Sequence, residues 1–335
     1  MAEDAAETSN AESNQGIADD LVLETSDLYH YTTVEGLYGI LESGELWATH
    51  AGYLNDTEEF TYGLGIIMDE LRDIRADLET RRLGREAGLN WQAGFVEAML
   101  MVYDPHFVPA EEDFDLFKDM PPGERAGTYN YLWDVITPFV TCLSTERDQL
   151  SQWRGYARGG YSIRFDSKML QTSMKQVDKA GEPVGAKSPP RLIDVLYVAD
   201  DFRGEIRDAI LETLDDSWIS SDGRKQEGNE AIGLDEVDFL CAVFLQGSRL
   251  KNHKFFEEAE YRISVSGRET FQTPSLLGLT PRTAVSFDAS AVREVIVGPS
   301  EFADVRAASL RRYLGRRKGY EDTIVSVSEI PYREL

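Results

Sequence analysis

The run Phe255-Phe256-Glu257-Glu258-Ala259-Glu260-Tyr261-Arg262-Ile263 holds the densest set of groups able to do chemistry. Three carboxylates precede a stretch suited to a strand. If Glu260 opens that strand, Glu258 and Glu260 share a face by the period of two. Two such carboxylates repel each other unless a cation or hydrogen bonds compensate. The plainer reading is a solvated junction between helix and strand. A second run, Tyr29-His30-Tyr31-Thr32-Thr33, sets a histidine between two tyrosines. That histidine is either a core residue bonded to backbone or a ligand donor. A third, Phe139 to Trp153, is a strand ending in Ser144-Thr145. Small hydroxyl residues there let a ligand approach closely, and they also simply end strands.

Other chemistries are absent from the pattern. There is no phosphate loop, and Gly63-Leu64-Gly65 lacks the third glycine of a dinucleotide fingerprint. His30, His50, His106 and His253 never fall at a metal-binding spacing, and carboxylates such as Asp215-Asp216 read as solvated helix faces, so no metal is expected. Cys142 and Cys241 are too few for a disulfide framework or a four-cysteine zinc site. Cys142, inside an apolar strand, reads as a small core residue.

The net charge of -26 argues against a protein that coats nucleic acid. Locally the sign inverts: between Val305 and Tyr320 stand Arg306, Arg311, Arg312, Arg316, Arg317 and Lys318 with no acid. These cations either complement a helix C-terminus or meet nucleic acid or an acidic partner. The N-terminus is acidic and polar, unlike a signal peptide, and no apolar run nears the ~20 residues that span a bilayer. The expectation is a soluble cytoplasmic protein without a membrane partner.

The elements that must hold these groups follow from periodicity. Residues 1–24 read as a disordered acidic tail, and 25–335 as a single α+β domain. Leu28 to Thr32 is a strand. Val34 to Ser43 is a helix, capped by Thr33 and ended at Gly44, and Glu45 to Thr49 is a strand. Phe60, Leu64, Ile67, Leu71, Ile74 and Leu78 recur every three or four residues, which predicts one long helix. A second helix is expected over Trp91 to Val102, so 60–125 reads as a mainly helical insertion. Strands are expected at Phe139–Ser144, Tyr161–Phe165, Leu192–Val198, Tyr261–Val265, Ala284–Phe287, Val292–Val297 and Thr323–Val327. Helices are expected at 202–214, 235–250 and Phe302–Leu314, the first two forming a second insertion at 200–250.

The opening LYHYTTVEGLYGILESGELWATHAGYLNDTEEF, with FVTCLSTERDQLSQWRGYA, FFEEAEYRI and VREVIVGP, is similar to a bacterial family catalogued as domain of unknown function 2971. The similarity extends from about Leu28 to Pro331. The order of strand with His, strand with Ser-Thr, and Glu-x-Glu entering a strand resembles the ADP-ribosyltransferase superfamily. That resemblance implies a split mixed or antiparallel β core with helical insertions. It also implies an enzyme, of the kind found as defence effectors or toxins, that cleaves the nicotinamide–ribose bond of NAD. ADP-ribose would pass to a macromolecular acceptor, protein or nucleic acid. NAD hydrolysis, or a degenerate nucleotide- or protein-binding module, are its alternatives. By resemblance His30 binds the NAD ribose with Thr32 beside it, and Ser144 packs on nicotinamide with Trp153 or Tyr156 as an aromatic wall. Glu260 is the catalytic carboxylate and Glu258 the acceptor-side residue. Arg154 or Arg158 would grip the ligand. The chain departs from the pattern in having Ser144 where a tyrosine is usual, and in the long gap from Ser144 to Glu260. The acceptor and the oligomeric state are not legible.

Overall fold

The computed structural model describes residues 27–54, 57–83, 90–104, 106–109, 121, 124, 131–184, 189–198, 204–214 and 234–331. The expected acidic tail lies outside them. In chain order the elements are β1 (Asp27–Thr32), α1 (Val34–Ser43), β2 (Glu45–His50), α2 (Thr57–Leu83), α3 (Asn90–Tyr103), β3 (Phe139–Ser144), β4 (Tyr161–Asp166), α4 (Ser167–Ser173), β5 (Lys175–Val177), β6 (Arg191–Asp194), β7 (Leu196–Val198), α5 (Leu234–Gly247), β8 (Leu250–Asn252), β9 (Glu260–Val265), β10 (Phe271–Ser275), β11 (Gly278–Ser286), β12 (Val292–Val297), α6 (Ala303–Leu314) and β13 (Ile324–Val327). Residues 131–136 and 204–214 are also helical. The fold is α+β with mostly antiparallel strands. No helix among the described residues is long and apolar enough to cross a membrane.

The chain divides into two compact units, Met1–Leu37 with Ser144–Ser173 and Asp288–Leu335, and Tyr38–Leu143 with Met174–Phe287. In the first unit β4 is central. It pairs antiparallel with β1 on one side and β12 on the other, and β13 adds parallel to β12. Strand alternation sorts the side chains. His30 lies opposite Ile163, and Thr32 opposite Tyr161, on one face. Tyr29 and Tyr31 take the other face, where they cluster with Trp153, Ala157 and Ile296. Ser144, paired with Tyr29, shares that second face. Helix α1 starts where expected: the Thr33 hydroxyl accepts from the Gly36 N–H at 3.2 Å.

In the second unit β11 pairs with β10, β2 and β5, β2 with β3, and β9 with β6. The stripe Phe60, Leu64, Ile67, Leu71, Ile74 and Leu78 is buried along α2, as its spacing predicts. It packs with residues of α3, of 204–214 and of α5 into one apolar cluster. Within 60–125 and 200–250 the described helices are those of α2, α3, 204–214 and α5, while 106–109 and 248–250 are not helical. The rest of those segments lies outside the described residues.

Three expectations are corrected. Leu192–Val198 is not one strand, because the chain breaks at Val195, whose N–H donates to the Glu260 carbonyl; β6 then pairs with β9 and β7 with β8. The 235–250 helix ends at Gly247, and Leu250–Asn252 joins a parallel ladder instead. The strand expected at Ala284 starts six residues earlier and forms a hairpin with β10. Pro274 and the polar residues around it had hidden that partner.

Candidate functional site

Glu260 opens β9, as the sequence suggested. Glu258 does not share its strand. It sits at the end of a 3-10 turn, His253–Glu258, and Ala259 between them takes a left-handed backbone with φ 43°. Period-two alternation therefore does not bring the carboxylates together. A cation does: Lys251 Nζ lies 2.8 Å from Glu258 Oε2 and 2.9 Å from Glu260 Oε2. Lys251 comes from β8, and its stem is fully enclosed. Arg262, two residues along β9, donates through Nε to Glu260 Oε1 at 2.6 Å and through Nη2 to Oε2 at 3.2 Å. Its Nη1 donates to the Ser248 carbonyl at 2.5 Å. The Tyr197 hydroxyl accepts the Glu260 backbone N–H at 2.7 Å. Cys142 of β3 hydrogen-bonds the Glu260 carboxylate.

The electrostatics follow from burial and charge. Glu260 is 5% exposed. Burial alone would raise its pKa, but Arg262, Lys251 and the Cys142 thiol outweigh that and hold it at about 2. The same carboxylate acts in the opposite sense on its neighbours. Burial and then Glu260 push the Cys142 thiol well up. Burial raises Tyr197 to about 12, although the hydrogen bond from the Glu260 backbone pulls it down. At neutral pH the cluster holds an ionised Glu260, a neutral thiol and a neutral phenol. A carboxylate has about four lone-pair sites. Arg262 fills two of those on Glu260, Lys251 a third and Cys142 the fourth. Glu258 is the more open carboxylate, with 19% of its side chain accessible.

The other sequence-derived residues all fall in the first unit, whereas Glu258 and Glu260 fall in the second. His30 is partly exposed and Thr32 buried, on one face of β1. Ser144 and Trp153 lie on the other face. The Ser144 hydroxyl accepts from the Glu146 N–H at 3.1 Å, closing the turn after β3. Trp153 is 1% exposed and packs edge-on against Tyr31 at 4.8 Å between centroids. Its indole N–H donates to Asp148 at 2.7 Å, so its ring is enclosed by protein. Tyr156 is 42% exposed. Arg154 and Arg158 both have exposed side chains. Among the described residues no group of three or more His, Cys, Asp and Glu is placed to hold a metal ion.

Sequence reasoning missed Lys251, Arg262, Tyr197 and Cys142 as partners of Glu260. Arg262 carried a signal, since residues i and i+2 of a strand share a face. Lys251 carried none, because only the return of the chain from β8 to β9 brings it back.

Residues 152–263 match a family model described as "Protein of unknown function (DUF2971)". That similarity covers a third of the chain, less than the span from Leu28 to Pro331 that the motifs suggested. Trp153, Tyr156, Lys251, Glu258, Glu260 and Arg262 lie inside it; His30, Thr32, Cys142 and Ser144 lie outside. No curated protein and no solved structure matches the chain.

Proposed function

We propose that the chain is an ADP-ribosyltransferase-like enzyme that cleaves the nicotinamide–ribose bond of NAD and passes ADP-ribose to a macromolecule. Its β core would be of the split type found in that superfamily. The observation that carries this reading is the meeting of Glu258 and Glu260 on Lys251 Nζ. Leaving of nicotinamide builds positive charge on the ribose, and a carboxylate ionised down to about pH 2 suits that charge. Glu260 would supply a fixed field rather than a proton. Glu258, less buried, would take the proton of the incoming nucleophile.

NAD fits this site on one condition. The lone pairs of Glu260 are all engaged, so a ribose hydroxyl reaches it by displacing its weakest donor, the Cys142 thiol. Of the side chains that donate to Glu260, Cys142 is the partly exposed one, Lys251 and Arg262 being buried. The same saturation favours a second reading, in which the cluster only braces β8 against β9 and the chain binds a nucleotide or protein without chemistry.

The test is incubation of labelled NAD with the full-length protein and a bacterial lysate. Label on precipitated macromolecules, lost in Glu258→Gln, supports transfer. Label released only as free ADP-ribose supports hydrolysis. Intact NAD, with no NAD binding by calorimetry, overturns both and leaves the binding module.

A further inference from the structure

The first unit contains a cavity of about 450 Å³ that uses neither Glu258 nor Glu260. Its position follows from the sheet. Thr32, Tyr161 and Val297 stand side by side across β1, β4 and β12. Because β1 and β12 both run antiparallel to β4, both leave the sheet at this end. Each then leads into a helix, α1 after Thr33 and α6 after Ser300-Glu301-Phe302. The loop Ala157–Gly160, which enters β4, runs between them. Arg306 fixes that loop: Nη1 donates to the Gly159 carbonyl at 2.7 Å and Nη2 to the Gly160 carbonyl at 2.8 Å, with the guanidinium over the Tyr161 ring. The cavity wall is therefore braced, and Arg306 is spent on bracing it.

The groups left to meet a ligand are of three kinds. Arg158 is exposed, sits in a left-handed backbone with φ 49°, and its side chain makes no ion pair or hydrogen bond among the described residues. Glu35, also exposed, likewise has no side-chain partner there. Phe302, 67% exposed, and Val34 supply apolar surface. A free guanidinium suits a phosphate, a free carboxylate suits vicinal sugar hydroxyls, and an exposed ring suits a base. The volume is that of a small-ligand site. Glu301 also lines the cavity, so a simple anion would gain from Arg158 alone and be repelled by Glu35 and Glu301; a ligand with hydroxyl donors beside its phosphate satisfies the guanidinium and the carboxylates together.

We infer that this cavity binds a phosphate monoester carrying sugar hydroxyls, of nucleoside monophosphate or sugar phosphate size. Its lining includes neither Glu258 nor Glu260, and the assignment does not depend on NAD chemistry. Calorimetric titration of the full chain with AMP, ribose 5-phosphate and inorganic phosphate tests it. AMP and ribose 5-phosphate are expected to bind, and inorganic phosphate more weakly. Arg158→Ala should weaken AMP and ribose 5-phosphate about tenfold or more, the loss of one charge-assisted bond. Glu35→Gln should weaken both sugar phosphates and leave or improve inorganic phosphate. Phe302→Ala should weaken AMP but not ribose 5-phosphate if the ligand is a nucleotide, and neither if it is a plain sugar phosphate. All three cavity residues are exposed, so their variants keep the parent's melting temperature. No binding of either sugar phosphate at millimolar concentration, or an Arg158→Ala variant that binds like the parent, overturns the assignment.

Discussion

Glu260→Gln is the most informative single substitution, because it removes a charge and keeps the shape. In the parent, Glu260 faces Lys251 and Arg262, both 1% accessible. Glutamine leaves two buried cations without the carboxylate that both of them pair with. Breaking a buried pair by removing one partner costs about 3–5 kcal/mol. The pKa gives an independent figure. Glu260 is lowered from an ordinary 4.5 to about 2, which corresponds to about 3 kcal/mol. A depressed carboxylate pKa adds stability that is fully present above 4.5. That stability is lost as pH falls from 4.5 toward 2. Urea unfolding at pH 7 should therefore show the variant about 3–5 kcal/mol less stable than the parent. By pH 2 that gap should largely close. The triple variant Lys251→Met, Glu260→Leu, Arg262→Leu, which removes the charges together, should recover most of the loss. A Glu260→Gln variant within about 1 kcal/mol of the parent at pH 7 would refute the reading of the cluster as tightly desolvated.

Further outcomes follow from other parts of the molecule. Burial holds the His50 imidazole at about 4, so its contribution is complete above its unfolded value near 6.5 and is lost as pH falls from there toward 4; His50→Phe should flatten the stability profile in that window. At Gly160 a methyl group would overlap the Thr32 carbonyl and come within 2.7 Å of the Ala157 carbonyl, so Gly160→Ala should lower the melting temperature more than Gly155→Ala, where nothing lies within reach. The Cys142 thiol, raised by burial and by Glu260, should react with a maleimide far more slowly than a free thiol at pH 7; Glu260→Gln should speed that reaction. Leu64→Ala, at a fully buried position of α2, should cost about 2–5 kcal/mol in urea unfolding.

The sequence was most legible where one face decides the pattern. The α2 stripe, the Thr33 cap and the strands at 139–144, 161–166 and 292–297 all followed from period, cap chemistry or β-branched runs. It was least legible where partners come from distant segments. β5, β7, β8 and β10 are short or polar, and they are strands because a neighbour supplies their hydrogen bonds. The candidate site shows the same split. Glu258 and Glu260 could be named from their spacing, but the reason for their meeting is Lys251, which alternation cannot reveal. Trp153, by type a plausible ligand wall, is instead enclosed by Tyr31 and Asp148, contacts spanning separate strands and turns. The cavity at Arg158 escaped because its walls come from three separated segments, 33–35, 157–160 and 299–306.

The most direct test of the central claim is nicotinamide release from NAD, compared between the parent and Glu260→Gln at a temperature where both are folded. The account predicts measurable release by the parent and a fall of about 100-fold or more in the variant, the usual cost of losing a preorganised charge at the reacting centre. Equal rates in the two proteins, or no release by a folded parent that binds NAD, would contradict it.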